Sequence, residues 1–361
     1  MVQLASDLGG WTNTLDPVIV SVLGLKIRWY GAAYLAGFAL GYVLLRWLAK
    51  RGLTPIRKER IADMVLTLAF GAVIGGRVGY ALFYDLRLFV VFTSDVPFWG
   101  LLRIHDGGMS SHGGILGVIV GAWLFSRGVK GEDGQRVERC SMLHVLDLVA
   151  FVAPVGLMFG RLANFVNGEL LGRVVARPGE RAPWWAVRSP QELLSGHRPE
   201  LTFEQHLELS RLIEMYRMPG MNDREAIEAL IAALQRGSVE VVERLPPLLA
   251  ARHPSQLYQA AAEGVVLGLV LLVVWARPRV PGVIGPMFLI AYGVMRLWTE
   301  TLRLPDDHLK VPRPGGLTVG QWLSVAMILG GAAVLCYAVR RGGEKFGGWL
   351  GSRRMADVSL T

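Results

Sequence analysis

Cysteine is nearly missing from this chain. Cys140 and Cys336 are the only two, too few and too far apart in sequence for a disulfide framework or a zinc site, and no acidic cluster suggests another metal. Charge is scarce as well. Asp, Glu, Lys and Arg make up 19% of the 361 residues against 52% hydrophobic, which excludes an ordinary soluble domain of this length. Residues 1 to 29 lack a cationic start followed by an apolar core and a small-residue cleavage site, so no removable signal peptide is expected and the first apolar run should serve as the insertion signal. A basic domain is lacking too. The net charge of +9 is spread beside apolar runs, a pattern of membrane topology and not of nucleic-acid binding.

What is present is a series of seven apolar runs: Tyr30 to Leu48, Ile61 to Phe83, Met109 to Phe125, a fourth from Leu143, then Gln256 to Trp275, Val283 to Leu302 and Leu317 to Val339. Lys and Arg gather after the first run (Arg46, Lys50, Arg51, Arg57, Lys58, Arg60), after the third (Arg127, Lys130, Arg136, Arg139), after the fifth (Arg277, Arg279) and after the last (Arg340, Arg341, Lys345, Arg353, Arg354). By the positive-inside rule these flanks are cytoplasmic. The expectation is an all-α polytopic membrane protein with seven transmembrane helices, its N-terminus outside and its C-terminus cytoplasmic. Residues 1–172 would hold spans one to four, 253–339 spans five to seven, and 340–361 a cytoplasmic tail. Between them, 173–252 is dense in Arg, Glu and Pro and has no spanning run, so it reads as a mainly helical extracytoplasmic insert. Within it, Asn222 or Asp223 should cap a helix through Gln235 carrying the stripe Ile227, Leu230, Ile231 and Leu234, and a second helix is expected over Phe203 to Met215. The aromatic stretch between Asp85 and Gly108 suits a segment at the lipid interface.

Polar chemistry concentrates where the fourth run ends, in GRLANFVNGELLGR, with Arg161, Asn164, Asn167, Glu169 and Arg173. Arg161 and Asn164 share a helix face. A charge deep in a membrane segment costs about 2.5–3.5 kcal/mol, so these groups should face a wet cavity, a ligand or a partner; the plainer alternative pairs Arg161 with Glu169 at the helix end. In the sixth run Tyr292, Arg296 and Glu300 follow at steps of four, with Arg303 one turn on, and an Arg296–Glu300 pair is the plainer reading there. Arg77 interrupts a run in which Gly71, Gly75 and Gly79 line one face. Snorkelling, a pair with Asp85 and contact with a ligand are all compatible with it. His112 opens the third run among Ser110, Ser111, Gly113 and Gly114, open to a structural or a chemical role. Arg77, His112, Arg161, Arg296 and Arg303 all fall in the outer halves or outer ends of their spans. Converging arginines imply an anion, and a phosphate at that depth is most simply a phospholipid headgroup. A transporter of anionic solutes or lipids is the alternative, although no inverted repeat with broken helices is visible in the sequence.

The motifs HGGILG, GRLANFVNGELLGR, RHPSQLYQ and YGVMRLWTETLRLPD, with RWYGAAYLAGF at Trp29 to Phe38, together resemble the prolipoprotein diacylglyceryl transferase family. The likeness runs through all seven spans. It implies transfer of a diacylglyceryl group from phosphatidylglycerol to the lipobox cysteine thiol of a bacterial prolipoprotein, with release of glycerol 1-phosphate, at the outer side of the cytoplasmic (inner) membrane. It also implies that Tyr30, His112, Arg161, Asn164, Glu169, Gly172, Tyr292, Arg296, Glu300 and Arg303 are functional positions. His112 is the expected thiol base, and Arg161 and Arg296 the expected phosphate ligands. Asn164 and Tyr292 would orient substrate oxygens, with Arg77 and Asn167 as further substrate-binding candidates, while Glu169 and Glu300 would hold the arginines. No cofactor is expected, and a monomer is. Ala163, Leu171 and Gln259 depart from the family pattern, where Gly, Trp and Glu are usual, and the insert is longer than usual.

Overall fold

The computed structural model describes residues 8–22, 25–195, 199–304 and 316–350. The end of the YGVMRLWTETLRLPD motif, Arg353 and Arg354 lie outside them. Helices account for most of the described chain. In order they are α1 (Trp29–Lys50), α2 (Ile61–Phe83), α3 (Ser111–Ser126), α4 (Met142–Asn167), α5 (Phe203–Met215), α6 (Asp223–Gln235), α7 (Val239–Arg244), α8 (Ser255–Val274), α9 (Ile284–Glu300) and α10 (Val319–Arg341). Among the described residues, five helices are long and apolar enough to cross a membrane: α1, α2 with the turn before it, α4, α8 and α10 from Gly320. The helices at the third and sixth expected spans are shorter. α3 has 16 residues and α9 has 17, lengths of about 24–26 Å at 1.5 Å per residue.

The chain divides into two compact units, one comprising Met1–Phe38, Pro154–Leu269 and Ile290–Leu329, the other Ala39–Ala153, Val270–Leu289 and Gly330–Thr361. The first contains the insert. Its helices lie where the apolar stripes place them: Asn222 caps α6 through a reciprocal box with Glu225, and Thr202 caps α5 in the same way with Gln205. Ile227, Leu230, Ile231 and Leu234 of α6 close on Leu212 of α5, Val241 of α7 and Leu193, Leu245 and Leu249. That cluster is a core of ordinary soluble type, which explains how a polar, Pro-rich segment folds.

Beside the helices of the insert, and elsewhere in the chain, the structure contains short strands that the sequence reading does not anticipate. Strands β1 (Trp11–Thr12), β6 (Val174–Ala176), β7 (Val187–Arg188) and β8 (Ala251–Arg252) form one sheet in the order β1-β7-β8-β6, parallel between β1 and β7 and antiparallel elsewhere. Strands β2 (Val18–Val22) and β3 (Leu25–Arg28) pair antiparallel in the same unit, and β4 (Val129–Lys130) and β5 (Arg136–Val137) in the other. Strands of two or three residues carry no alternation to read, and here backbone pairing supplies the order that side-chain pattern does not.

In the second unit α2 and α3 pack backbone to backbone. A Cβ on Gly75 would lie 2.7 Å from the Gly117 Cα, and one on Gly79 2.7 Å from the Gly113 Cα, so the glycine face of the sequence is an interhelical seam. Asp147, buried in α4, accepts hydrogen bonds from the Gly282 and Gly285 N–H groups, both at 2.7 Å, which supplies the partner its apolar surroundings demand. Replacing Gly75 by Ala is expected to lower stability by about 1–3 kcal/mol through overpacking at this seam. Gly330→Ala, at a position with no atom within 4 Å of the new methyl, should leave it unchanged. Thermal unfolding of the two purified variants in detergent checks the contrast, and equal effects would refute the seam.

Candidate active site

The first unit brings Arg161 of α4 and Arg296 of α9 onto a single carboxylate. Glu263, fully buried, lies in a π-helical stretch of α8 (Ala260–Val266). Its Oε2 accepts from Arg161 Nε at 3.0 Å and Nη2 at 2.9 Å. Its Oε1 lies 3.7 Å from Arg296 Nη1 and accepts from Thr299 Oγ1 at 3.4 Å. Arg296 Nη2 is also 3.1 Å from Glu300 Oε2, so the expected i, i+4 pair forms in α9. Arg161 also interacts with Tyr292. Both guanidinium groups are mostly buried, and Nη1 of Arg296 has no hydrogen-bond acceptor among the described residues. Two cations share one carboxylate, Glu300 balances the second of them, and the uncommitted Nη1 of Arg296 is a donor of the kind an anionic ester oxygen would take.

Glu169, expected to hold an arginine, holds two amides. Asn164 donates one amide proton to Glu169 Oε2 at 2.9 Å and the other to the Tyr30 hydroxyl at 3.0 Å, and Asn167 donates to Glu169 Oε1 at 3.3 Å. The first helix and the end of α4 are thereby tied through Asn164. Beyond α4 the chain is fixed carbonyl by carbonyl. Glu169 O accepts from Gln256 Nε2, Leu170 O from Ser255 Oγ at 2.8 Å, Leu171 O from Leu304 N at 3.0 Å, and Gly172 O from Arg252 Nη1 at 3.3 Å. Arg252 is itself fixed by buried Glu192, Nε to Oε2 at 2.7 Å. Burial pushes the Glu192 carboxyl up from its ordinary range, with Arg252 and the Ala250 N–H opposing. Gly172 bridges antiparallel to Arg303, and a Cβ there would overlap the His253 carbonyl, so no larger residue fits. His253 stacks on Trp185, ring centroids 5.0 Å apart, and burial followed by the Arg173 charge holds its imidazole below the ordinary value.

Tyr30, Arg161, Asn164, Asn167, Glu169, Gly172, Tyr292, Arg296, Glu300 and Arg303 thus all belong to one unit. His112 and Arg77 belong to the other. His112 is the exposed second residue of α3. Arg77 donates to backbone carbonyls of the loop at 100–108, and Asp85 pairs instead with Arg87 at 2.8 Å. Of the three departures, Ala163 and Leu171 are buried packing residues and Gln259 is fully buried.

Sequence reading misses Glu263, although a signal exists. A single carboxylate inside a 20-residue apolar helix is as expensive as the intramembrane arginines, and it has to be answered by a cation. Ser255, Gln256 and Arg252 sit inside the RHPSQLYQ motif, but their task of gripping consecutive carbonyls has no one-dimensional signature. Substituting Glu263 by Gln leaves two buried guanidinium groups facing a neutral amide, and a loss of about 3–5 kcal/mol is expected. Glu169→Gln, at an exposed residue, should cost under about 1 kcal/mol. Unfolding in detergent, read by intrinsic fluorescence, separates the two; a Glu263→Gln protein as stable as the parent would contradict the shared-carboxylate arrangement.

A model of the prolipoprotein diacylglyceryl transferase family matches residues 17–337. The chain is 37% identical over 357 residues to the phosphatidylglycerol--prolipoprotein diacylglyceryl transferase of Bdellovibrio bacteriovorus, covering 93% of this chain and 96% of that one. It is 35% identical to the enzyme of the same name from Pseudoalteromonas atlantica over 91% and 90% of the two chains, and 38% identical to that of Burkholderia multivorans over 90% and 95%. With near-complete coverage on both sides, and with the arginine pair lying inside the matched region, the chain belongs to the prolipoprotein diacylglyceryl transferase family.

Proposed function

We propose that this chain transfers a diacylglyceryl group from phosphatidylglycerol to the lipobox cysteine thiol of a prolipoprotein, forming a thioether and releasing glycerol 1-phosphate. The observation that carries the reading is the placement of Arg161 and Arg296 on the one carboxylate of Glu263. Family membership sets aside the transporter alternative for the same arginines. In the reaction the thiol loses its proton to a base, the sulfur bonds to the terminal glyceryl carbon, and the carbon–oxygen bond to phosphate breaks with its electron pair leaving on the phosphate oxygen. Charge therefore grows on the leaving phosphate, where fixed guanidinium groups lower the barrier without reorganising. Arg161 and Arg296 take that role. Tyr292, which interacts with Arg161, orients a phosphate or glycerol oxygen. Both amide protons of Asn164 are committed, so its part is that of an acceptor, through Oδ1, for a glycerol hydroxyl. Glu263 and Glu300 hold the arginines, and Glu169 with Asn167 holds Asn164. His112 is the base for a thiol whose ordinary pKa of about 8.5 leaves it mostly protonated at neutral pH.

The arrangement that fits this chemistry is a monomer of the bacterial inner membrane with seven spans, α3 and α9 completing the five longer helices, the N-terminus and the 173–252 insert outside and the 340–361 tail in the cytoplasm. The Lys and Arg flanks support that orientation. Single cysteines introduced into the insert at exposed Phe203 or Val239, in a background with Cys140 and Cys336 removed, should react with a membrane-impermeant maleimide added outside intact cells. Labelling only after the inner membrane is breached would overturn the orientation.

The activity is tested by mass analysis of a lipobox peptide incubated with purified protein and phosphatidylglycerol, where a diacylglyceryl mass increment on the cysteine is expected and an unchanged peptide would refute the function. Arg161→Lys keeps a charge but loses the planar fork, and should cost about 100-fold or more in rate at every pH. His112→Gln should be comparably slow near pH 7 but recover towards pH 9, where the peptide thiol ionises unaided. A His112→Gln protein equally inactive across that range would end the base assignment.

A further inference from the structure

Arg77 spends its whole guanidinium on one loop. Nε donates to Leu101 O at 2.8 Å, Nη1 to Gly107 O at 2.6 Å and Gly108 O at 3.0 Å, and Nη2 to Gly100 O at 2.7 Å and Arg103 O at 3.0 Å. All five N–H donors of the side chain are thereby used, and the residue is 5% exposed. A buried cation answered by five neutral carbonyls has no donor left for a phosphate. It is a knot around which residues 100–108 fold.

The same turn of α2 also holds the start of α3. Gly76 O accepts from the Ser110 N–H at 2.9 Å, and Ser110 Oγ in turn caps α3 by accepting from the Gly113 N–H at 3.2 Å. Gly113 lies against Gly75 and Gly79 at the helix seam. The Tyr80 ring lies beside Gly108, where a Cβ would come within 2.6 Å of its Cε1. His112 stands between the capping Ser110 and the locked Gly113. Its backbone position is therefore set by α2 from both sides, and of these restraints Arg77 is the only charged one among the described residues.

We propose that Arg77 is a positioning residue for His112, acting through the 100–110 loop and the N-terminal cap of α3, and not a ligand of the phospholipid phosphate. The inference rests on the reading of His112 as a residue the reaction needs, the base being the role assigned to it above. Misplacing a reacting group by about 1 Å costs on the order of 100-fold in rate, which sets the size of the expected effect. Lysine cannot replace five forked donors with its three, so Arg77→Lys should release the loop while keeping the charge.

The test is steady-state kinetics of the purified full-length protein with phosphatidylglycerol in mixed micelles and a lipobox peptide, from pH 6.5 to 9, for Arg77→Lys and His112→Gln side by side. Should Arg77→Lys fail to fold, Gly108→Ala serves in its place. There a methyl at φ +79° would meet the Tyr80 ring and Arg77 Nη1, pushing the loop off an intact guanidinium. Expected are a KM for phosphatidylglycerol within about twofold of the parent, a kcat about 100-fold lower near pH 7, and a pH profile of the same shape as that of His112→Gln. A KM for phosphatidylglycerol raised tenfold with kcat preserved would identify Arg77 as a phosphate ligand and overturn the proposal. So would a parental kcat per folded molecule, or a profile unlike that of an impaired His112→Gln enzyme. A fully active His112→Gln enzyme would refute the need for His112, and the positioning claim with it; an impaired His112→Gln enzyme without recovery at high pH would refute the base role alone, and the positioning claim would then stand or fall on the match between the two profiles.

Discussion

A carboxylate inside an apolar helix is tolerated only when cations answer it, and Glu263 is answered twice. Arg161 and Arg296 come from helices far apart in sequence, α4 and α9, and neither could be buried alone at the cost a lone guanidinium carries in such surroundings. Each cation makes the other's position necessary. Removing Glu263 would leave Arg161 without a carboxylate and Arg296 with Glu300 alone, and removing either arginine would leave part of a carboxylate uncompensated, so the residues are electrostatically coupled. That the carboxylate sits in a π-helical stretch is consistent with the way such bulges accompany functional positions. The pair is thus held in place by the protein's own groups, the arrangement in which fixed charge needs no reorganisation.

Around that unit the backbone after α4 is held with unusual completeness. Four consecutive carbonyls, from Glu169 to Gly172, accept from Gln256, Ser255, Leu304 and Arg252, and Arg252 is anchored in turn by Glu192 inside the insert. The insert is therefore more than an appended head. Its strand β8 and the 252–256 motif form part of the wall that fixes the loop carrying Glu169 and Gly172, and a short sheet suits that work because strand pairing orients backbone groups that side chains cannot. Leu170, at a positive φ of 57°, is where this restraint leaves an ordinary residue in a backbone region that seldom suits it.

Much of this is legible in the chain and some is not, for physical reasons. The long helices can be read because each is an apolar run close to the length a bilayer demands. α2 begins and ends at Ile61 and Phe83, and α5 at Phe203 and Met215, the bounds expected from the sequence. The cap at Asn222 is readable from its reciprocal Glu225. The Arg296–Glu300 pair is readable from spacing alone, because both lie on one helix. Partners from different helices leave no such spacing. Proximity in sequence points Arg161 to Glu169, eight residues away, whereas it meets Glu263, 102 residues away. Arg77 stands out as a cation in an apolar run, yet its partners are backbone carbonyls, and no sequence displays where carbonyls point. The four-stranded sheet is invisible because its strands are too short to alternate.

The claim that Arg161 and Arg296 form a single unit on Glu263 is tested most directly by a double-mutant cycle in kcat/KM for phosphatidylglycerol, using Arg161→Lys, Arg296→Lys and the double variant. If the two act together, the double variant should lose little more than the worse single variant, leaving a coupling of about 1–3 kcal/mol between positions that do not adjoin in sequence. Losses that simply add, with no coupling beyond error, would mean that each arginine works alone and would contradict the account.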